Sequence, residues 1–162
     1  VTTKKVKEEK TNAMRLLEVN NVVYRSHEYD PEKAISALEV AKSLNENPEQ
    51  VFKTLVTTSK SKNHYVFVIP GNAELDLKKA AKAAGEKFIE LIPQRELLPL
   101  TGYIHGGCSP IGMKKQFATF INETALLFDS IIISGGRIGF QVELNPNDLA
   151  ALIQANFYDL TA

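Results

Sequence analysis

The chain has a single cysteine, Cys108, so it cannot close an internal disulfide. That residue and the three histidines, His27, His64 and His105, lie far apart, without the short ligand spacings of a structural zinc site. Neither a metal nor a cofactor is expected. Long apolar runs are lacking too: stretches such as Ile131-Ile132-Ile133 fall far short of the roughly 20 residues that cross a bilayer. The Lys-rich start lacks an apolar h-region, so it does not read as a secretory signal. A cytoplasmic protein with no membrane association is the expectation. A basic excess is also missing, because 19 Lys and Arg balance 19 Asp and Glu. Unaided nucleic-acid binding draws its affinity from neutralising phosphates. No DNA partner is therefore expected, and an RNA substrate would be held locally and weakly, or with help. The charges are unevenly placed: no Lys or Arg follows Arg137, whereas Glu143, Asp148 and Asp159 do.

What is present suits one globular domain. Of the 162 residues 44% are hydrophobic, enough for a core, and 23% are charged, ordinary for a surface. Ala13, Leu16 and Leu17 at helical spacing predict a helix over residues 4–20, frayed at its Lys-rich first turn, where cations oppose the helix dipole. A strand over 22–27 ends at Asp30-Pro31. Ser36 and Glu39 form a candidate capping box for a helix to about Leu44, with Leu38, Ala41 and Leu44 inward. Strands over 51–58 and 64–69, joined by the polar link 59–63, read as a hairpin. Asp76 caps a helix that Gly85 ends. A strand over 88–92 and a short helix from Pro93 precede a loop over 101–112. A strand over 117–121 and a helical turn over 122–126 come next. Strands around residues 131–133 and over 140–144 flank a glycine turn, and Asn145-Pro146 starts the final helix. The strands and helices do not follow a strict βαβ period. The expected fold is α+β, a mixed, curved sheet with helices around it.

Two glycine clusters attract attention. Ser134-Gly135-Gly136-Arg137-Ile138-Gly139 follows a strand but precedes an alternating strand, not the helix a phosphate loop needs, so a hairpin turn is the better reading. Gly106-Gly107-Cys108-Ser109-Pro110-Ile111-Gly112 combines close backbone access with a stiff proline. It reads equally well as a functional loop and as a tight connection. A nucleophilic Cys108 would need a neighbouring base, since a free thiol titrates near about 8.5. His105 is three residues away, but loop spacing does not fix their geometry, and an inert thiol is the simpler reading. Lys53 shares a strand face with Val51 and Leu55. It sits either at a sheet rim, slightly favoured, or in a pocket facing an anion. No acid/base carboxylate pair is evident.

Four segments in register resemble the YbaK/EbsC family of aminoacyl-tRNA deacylases, which clear Cys-tRNA(Pro). They are Val51-Phe52-Lys53-Thr54-Leu55-Val56, Leu75-Asp76-Leu77-Lys78-Lys79-Ala80-Ala81-Lys82-Ala83-Ala84-Gly85, Thr101-Gly102-Tyr103-Ile104-His105-Gly106-Gly107-Cys108-Ser109-Pro110-Ile111-Gly112 and Ser134-Gly135-Gly136-Arg137-Ile138-Gly139. The resemblance runs from about Ala13 to the C-terminus. It leaves residues 1–11 as a variable extension and 12–162 as the deacylase domain. It implies a barrel-like sheet surrounded by helices, related to the editing domain inserted in prolyl-tRNA synthetase. It also implies a catalytic Lys53, and a substrate-binding loop of Gly106, Gly107, Cys108, Ser109 and Pro110. A pocket-lining turn of Ser134, Gly135 and Gly136 completes the implied site. His27 stands where the family usually has Tyr, and Gln141 where Asp is common. Both would neighbour the pocket, which bears on amino-acid preference.

The expected activity is hydrolytic release of a wrong amino acid, above all cysteine from tRNA(Pro), aided by the substrate's own thiol. The expected partners are the tRNA 3′ end and prolyl-tRNA synthetase. Lys78, Lys79, Lys82, Lys114 and Lys115 read equally as RNA contacts or solvated faces. The alternatives are an Ala-tRNA(Pro) deacylase and a non-catalytic module that binds tRNA or a synthetase.

Overall fold

The structure is a computed structural model and describes residues 9–32 and 36–162. The first helix, α1 (Asn12–Val19), is shorter than the sequence pattern predicts. Residues 4–8 of the expected helix lie outside the described ones, and Glu9 to Thr11 are not helical. The Thr11 hydroxyl explains the start: it accepts the Met14 backbone N–H at 3.1 Å and supplies the cap that the lysines before it cannot. Strand β1 (Tyr24–Glu28) leads to α2 (Ala37–Ser43), capped by Ser36, whose hydroxyl accepts the Glu39 N–H. Here the expected inward face is corrected. Leu38 is 52% exposed, while Val40 and Ala41 are buried and Ala41 packs with Val51 and Ile132.

The hairpin β2 (Phe52–Ser59) and β3 (His64–Pro70) forms as expected, with Lys53 opposite Ile69 and Val56 opposite Val66. Helix α3 (Leu77–Ala84) starts at Asp76, whose carboxylate accepts the N–H groups of Lys78 and Lys79. It stops at Gly85, whose φ of 71° a residue with a Cβ adopts only at a cost. Strand β4 (Ile89–Leu91), a 3-10 turn (Gln94–Glu96) and α4 (Leu97–Thr101) precede the glycine loop. Then come β5 (Ala118–Asn122), a 3-10 turn (Glu123–Leu127), β6 (Ile131–Ser134) and β7 (Phe140–Leu144). Helix α5 (Pro146–Ile153) begins at the Asn145 cap. One strand is not anticipated by the sequence pattern: β8 (Asn156–Tyr158), three residues beside β5.

The fold is α+β, and its strands make two sheets. One is antiparallel in the order β1-β7-β6, the other mixed in the order β4-β2-β3-β5-β8. A parallel bridge from Val51 to Ile132 joins them at the start of β2. The resemblance implies one barrel-like sheet; the described strands form these two sheets, and no closed barrel. The larger core lies under α1 and α5 and includes Leu17, Val66, Ile121, Val142 and Leu149. The second lies under α3, where Phe67 stacks on Phe120 at 5.4 Å. Fully burying each such aliphatic or aromatic side chain stabilises the fold by about 1.5–3 kcal/mol.

One detail of β2 positions everything that follows. Val51 accepts from Gly71 at 2.7 Å and Ser59 donates to Asn63 at 2.9 Å, so odd-numbered backbone groups face β3. Even-numbered ones face the opposite edge. There Gln50 accepts from Ile132 of β6 at 3.0 Å, and Val56 accepts from Ile92, just past β4, at 3.2 Å. Between those two contacts, around Thr54, neither β6 nor β4 runs alongside.

Candidate functional site

A cavity of about 300 Å³ opens where β6 and β4 part along β2. Lys53, Thr54 and Leu55 form its floor. Gly106 and Cys108 come from the glycine loop, Ser134 from the end of β6, and Gln141 from β7. Of the two readings open for Lys53, a sheet rim or a pocket, the structure places the residue among those that line a pocket. It is the only Lys or Arg in the wall, and no Asp or Glu lines the wall among the described residues. Burial lowers the Lys53 pKa, and the carboxylate of Glu74 partly offsets this.

Cys108 is 8% exposed, and burial pushes its thiol up to about 12. It is therefore a neutral thiol at physiological pH. His105 also lines the cavity, at its exposed rim, and no hydrogen bond joins it to Cys108 among the described residues. The pair has none of the coupling that activates a nucleophile. Among the described residues no cluster of three His, Cys, Asp or Glu comes together to hold a metal.

The other expected site residues frame the cavity and do not line it. Gly107 is buried against the β6–β7 turn. A Cβ there would lie 3.0 Å from the Ile138 nitrogen and 3.3 Å from the Arg137 carbonyl carbon. Only glycine lets the two backbones approach so closely. Ser109 is fully buried and its hydroxyl accepts the Ile111 N–H. Pro110 is buried beside it. Gly135 lies against Phe140, and Gly136 against the ring of Tyr103. Tyr103, which the sequence reading passed over, wedges between the two glycine turns and donates its hydroxyl proton to the Ile111 carbonyl. Of the loop's N–H groups, that of Gly107 is used on Ile104 at 3.0 Å, and Pro110 has none. The N–H groups of Gly106 and Cys108 have no partner among the described residues.

His27 and Gln141 sit in one row across the smaller sheet, with His27 opposite Gln141 and Gln141 opposite Ser134. Gln141 reaches the cavity; His27 does not. Its Nε2 lies 2.8 Å from Glu143, which also accepts from Arg25 at 3.1 Å and from the Ser130 hydroxyl. Burial pushes the Glu143 pKa up, but these bonds and the Arg25 charge outweigh it and leave it lowered. The cavity also has contributors that no sequence pattern marked: Tyr29, Val40, Leu97 and Phe140. They converge from elements distant in the chain, so local periodicity carries no trace of them. Among the lysines weighed as RNA contacts, Lys79 is engaged internally. Its ammonium donates to Asp159 at 2.9 Å and to the Thr161 carbonyl at 2.7 Å.

This scaffold and pocket match a known class. Residues 31–152 match the family described as the aminoacyl-tRNA editing domain. The chain belongs to that family, whose activity is aminoacyl-tRNA deacylation. It is 47% identical over 159 residues to a protein of Enterococcus faecalis named "Putative Cys-tRNA(Pro)/Cys-tRNA(Cys) deacylase EbsC", covering 98% of this chain and 97% of that one. Over 105 residues it is 27% identical to the proline–tRNA ligase of Brachyspira hyodysenteriae, covering 65% of this chain and 18% of the ligase. A solved structure described as "a putative trans-editing enzyme for prolyl tRNA synthetase" superposes with a TM-score of 0.81 at 24% identity, covering 95% and 99% of the two chains. At that identity the superposition speaks for the fold.

Proposed function

We propose that the protein is a trans-editing enzyme that releases cysteine from mischarged Cys-tRNA(Pro), using the substrate's thiol as nucleophile. The observation that carries this reading is the cavity wall. Among the described residues it has one Lys or Arg, no carboxylate, and a cysteine held protonated by burial. Such a wall can bind and orient an aminoacyl ester but has little to attack it with. The relative named for Cys-tRNA(Pro) and Cys-tRNA(Cys) supports cysteine as the amino acid. The names of the ligase and of the structural neighbour support prolyl-tRNA synthetase as the partner that supplies tRNA identity.

Held in a ring-forming pose, the substrate sulfur bonds to its own carbonyl carbon. The ester C–O bond breaks, and the thiol proton ends on the ribose oxygen. The released cyclic thioester then takes up water to give cysteine. Intramolecular attack in a near-attack geometry reaches effective molarities of about 10⁵ M or more, so orientation alone supplies much of the rate. The N–H groups of Gly106 and Cys108, which have no partner among the described residues, would serve as donors to the developing oxyanion. Lys53 anchors the terminal phosphate as a compact point charge. Serine, with a far less nucleophilic hydroxyl, and proline, with no thiol, both survive.

Lys53→Ala is expected to lose most release of labelled cysteine from Cys-tRNA(Pro) while keeping its circular dichroism and melting temperature. Turnover near wild type would remove Lys53 from the mechanism. Methylating the substrate sulfur is expected to halt release, with Ala-tRNA(Pro) as the thiol-free control. Equal rates for capped and free substrates would exclude thiol attack.

A further inference from the structure

Behind the cavity wall lies a polar cluster that the mechanism above does not use. Gln141 is only 5% exposed, and its amide fits its surroundings with the nitrogen toward Glu46. So placed, it donates to both Glu46 oxygens, at 2.9 and 3.2 Å. The opposite assignment sets the amide oxygen against a carboxylate, acceptor against acceptor. Glu46 is not part of the wall. It follows α2, where its N–H donates to the Ala41 carbonyl at 2.8 Å and Asn45 turns the chain at φ 56°. Its position is therefore set by backbone geometry.

We propose that Glu46 is a positioning residue for the substrate's α-ammonium group. By holding the Gln141 amide nitrogen, it turns the amide oxygen toward the cavity as an acceptor. The ligand class is an aminoacyl ester with a free α-amino group, so this inference rests on the deacylase reading. The chemistry is complementary to the wall. Lys53 serves the anionic end of the substrate, and among the described residues no carboxylate lines the cavity to meet an ammonium. An amide oxygen with an anion behind its N–H group is a strengthened neutral acceptor. It binds the ammonium without placing a second full charge beside Lys53. Without Glu46 the amide could turn over and present a donor, which repels a cation.

The groups that face Glu46 fit this role. Burial raises its pKa and Glu143 adds to the rise, while His27 and the Gln141 bond oppose it. His27 and Glu143 come from β1 and β7, and Glu143 in turn carries Arg25 and Ser130.

The test uses the full chain and two non-hydrolysable probes. These are the 3′-amide analogue of cysteinyl-adenosine and its counterpart lacking the α-amino group. Calorimetry is expected to show wild type preferring the amino probe by about 10-fold, the weight of one charge-assisted hydrogen bond. Glu46→Ala is expected to abolish that preference while leaving affinity for the amino-free probe unchanged, and Gln141→Ala to abolish the preference. The double variant should be no worse than Gln141→Ala, because Glu46 acts through Gln141. Glu46→Met, which fills the space without an acceptor, carries the same expectation if the alanine variant does not fold. Equal binding of both probes by wild type, binding of neither, a preference that survives at Glu46→Met, or additive losses would each overturn the inference. Failure of wild type to release any amino acid would instead overturn the deacylase reading, and the probe measurement would stand apart from it.

Discussion

At the scale of single residues, the cavity separates groups that look reactive from groups that are placed to act. Cys108 has nucleophilic chemistry, yet burial raises its pKa from 9.0 to about 12. The folded state therefore keeps a proton that the unfolded chain begins to lose near pH 9.0. The stability this contributes is fully present below that pH and is lost as pH rises toward about 12. Iodoacetamide at pH 9 is expected to label the folded protein at least about 10-fold more slowly than the urea-unfolded chain, because only the thiolate reacts. Equal labelling would show an accessible, ionised sulfur. Cys108→Ala is expected to retain deacylation at a cost of about 1 kcal/mol in stability from the small void it leaves. A folded but inactive variant would restore Cys108 as a nucleophile.

At the scale of elements, the site depends on two turns held backbone to backbone. Gly107→Ala would drive a Cβ to 3.0 Å from the Ile138 nitrogen, and neither side can yield as a flexible side chain would. The substitution is expected to cost about 1–3 kcal/mol, read as a lowered melting temperature, and to slow deacylation as Gly106 and Ser134 move apart. An unchanged melting temperature would mean that the loop shifts freely and that its position is not fixed by this contact. Local signals of this kind were largely readable in the chain itself. Asp76 with Gly85, Ser36 and Asn145-Pro146 each mark a helix end, because a cap is decided within a few residues. The hairpin 52–70 was legible for the same reason. Strand β8 was not, because three residues give alternation no room and its pairing with β5 is long-range. Leu38 departs from the expected inward face because α2 is short, and its buried stripe is chosen by Val51 and Ile132, which lie far along the chain. Lys53 stood out, but its choice between rim and pocket depends on where β6 and β4 part. His27 was expected beside the pocket, and the register places it one residue behind Gln141 in the row.

At the scale of the whole molecule, charge balance bears on how tRNA is held. The 19 Lys and Arg are matched by 19 Asp and Glu, and Lys79 is spent on an internal contact. Few phosphates can then be neutralised by the protein alone. Binding of uncharged tRNA(Pro) is expected to be weak, with a shallow slope of log affinity against log salt, equivalent to about two or three phosphate contacts. A steep slope would reveal a basic surface and remove the need for a synthetase partner. No described helix is long and apolar enough to cross a membrane.

The parting of two sheets along β2 also divides the labour of sequence change. The floor of the cavity belongs to a strand whose neighbours, Phe52 and Val56, are buried in the larger core, so it is costly to alter. The side walls come from short pieces: Ser36 and Val40 with α2, and Leu97 at the head of α4. Swaps there resize the chamber while the chemistry of the floor stays put. A scaffold so divided can change its preferred guest by trading a few methyl groups on a helix.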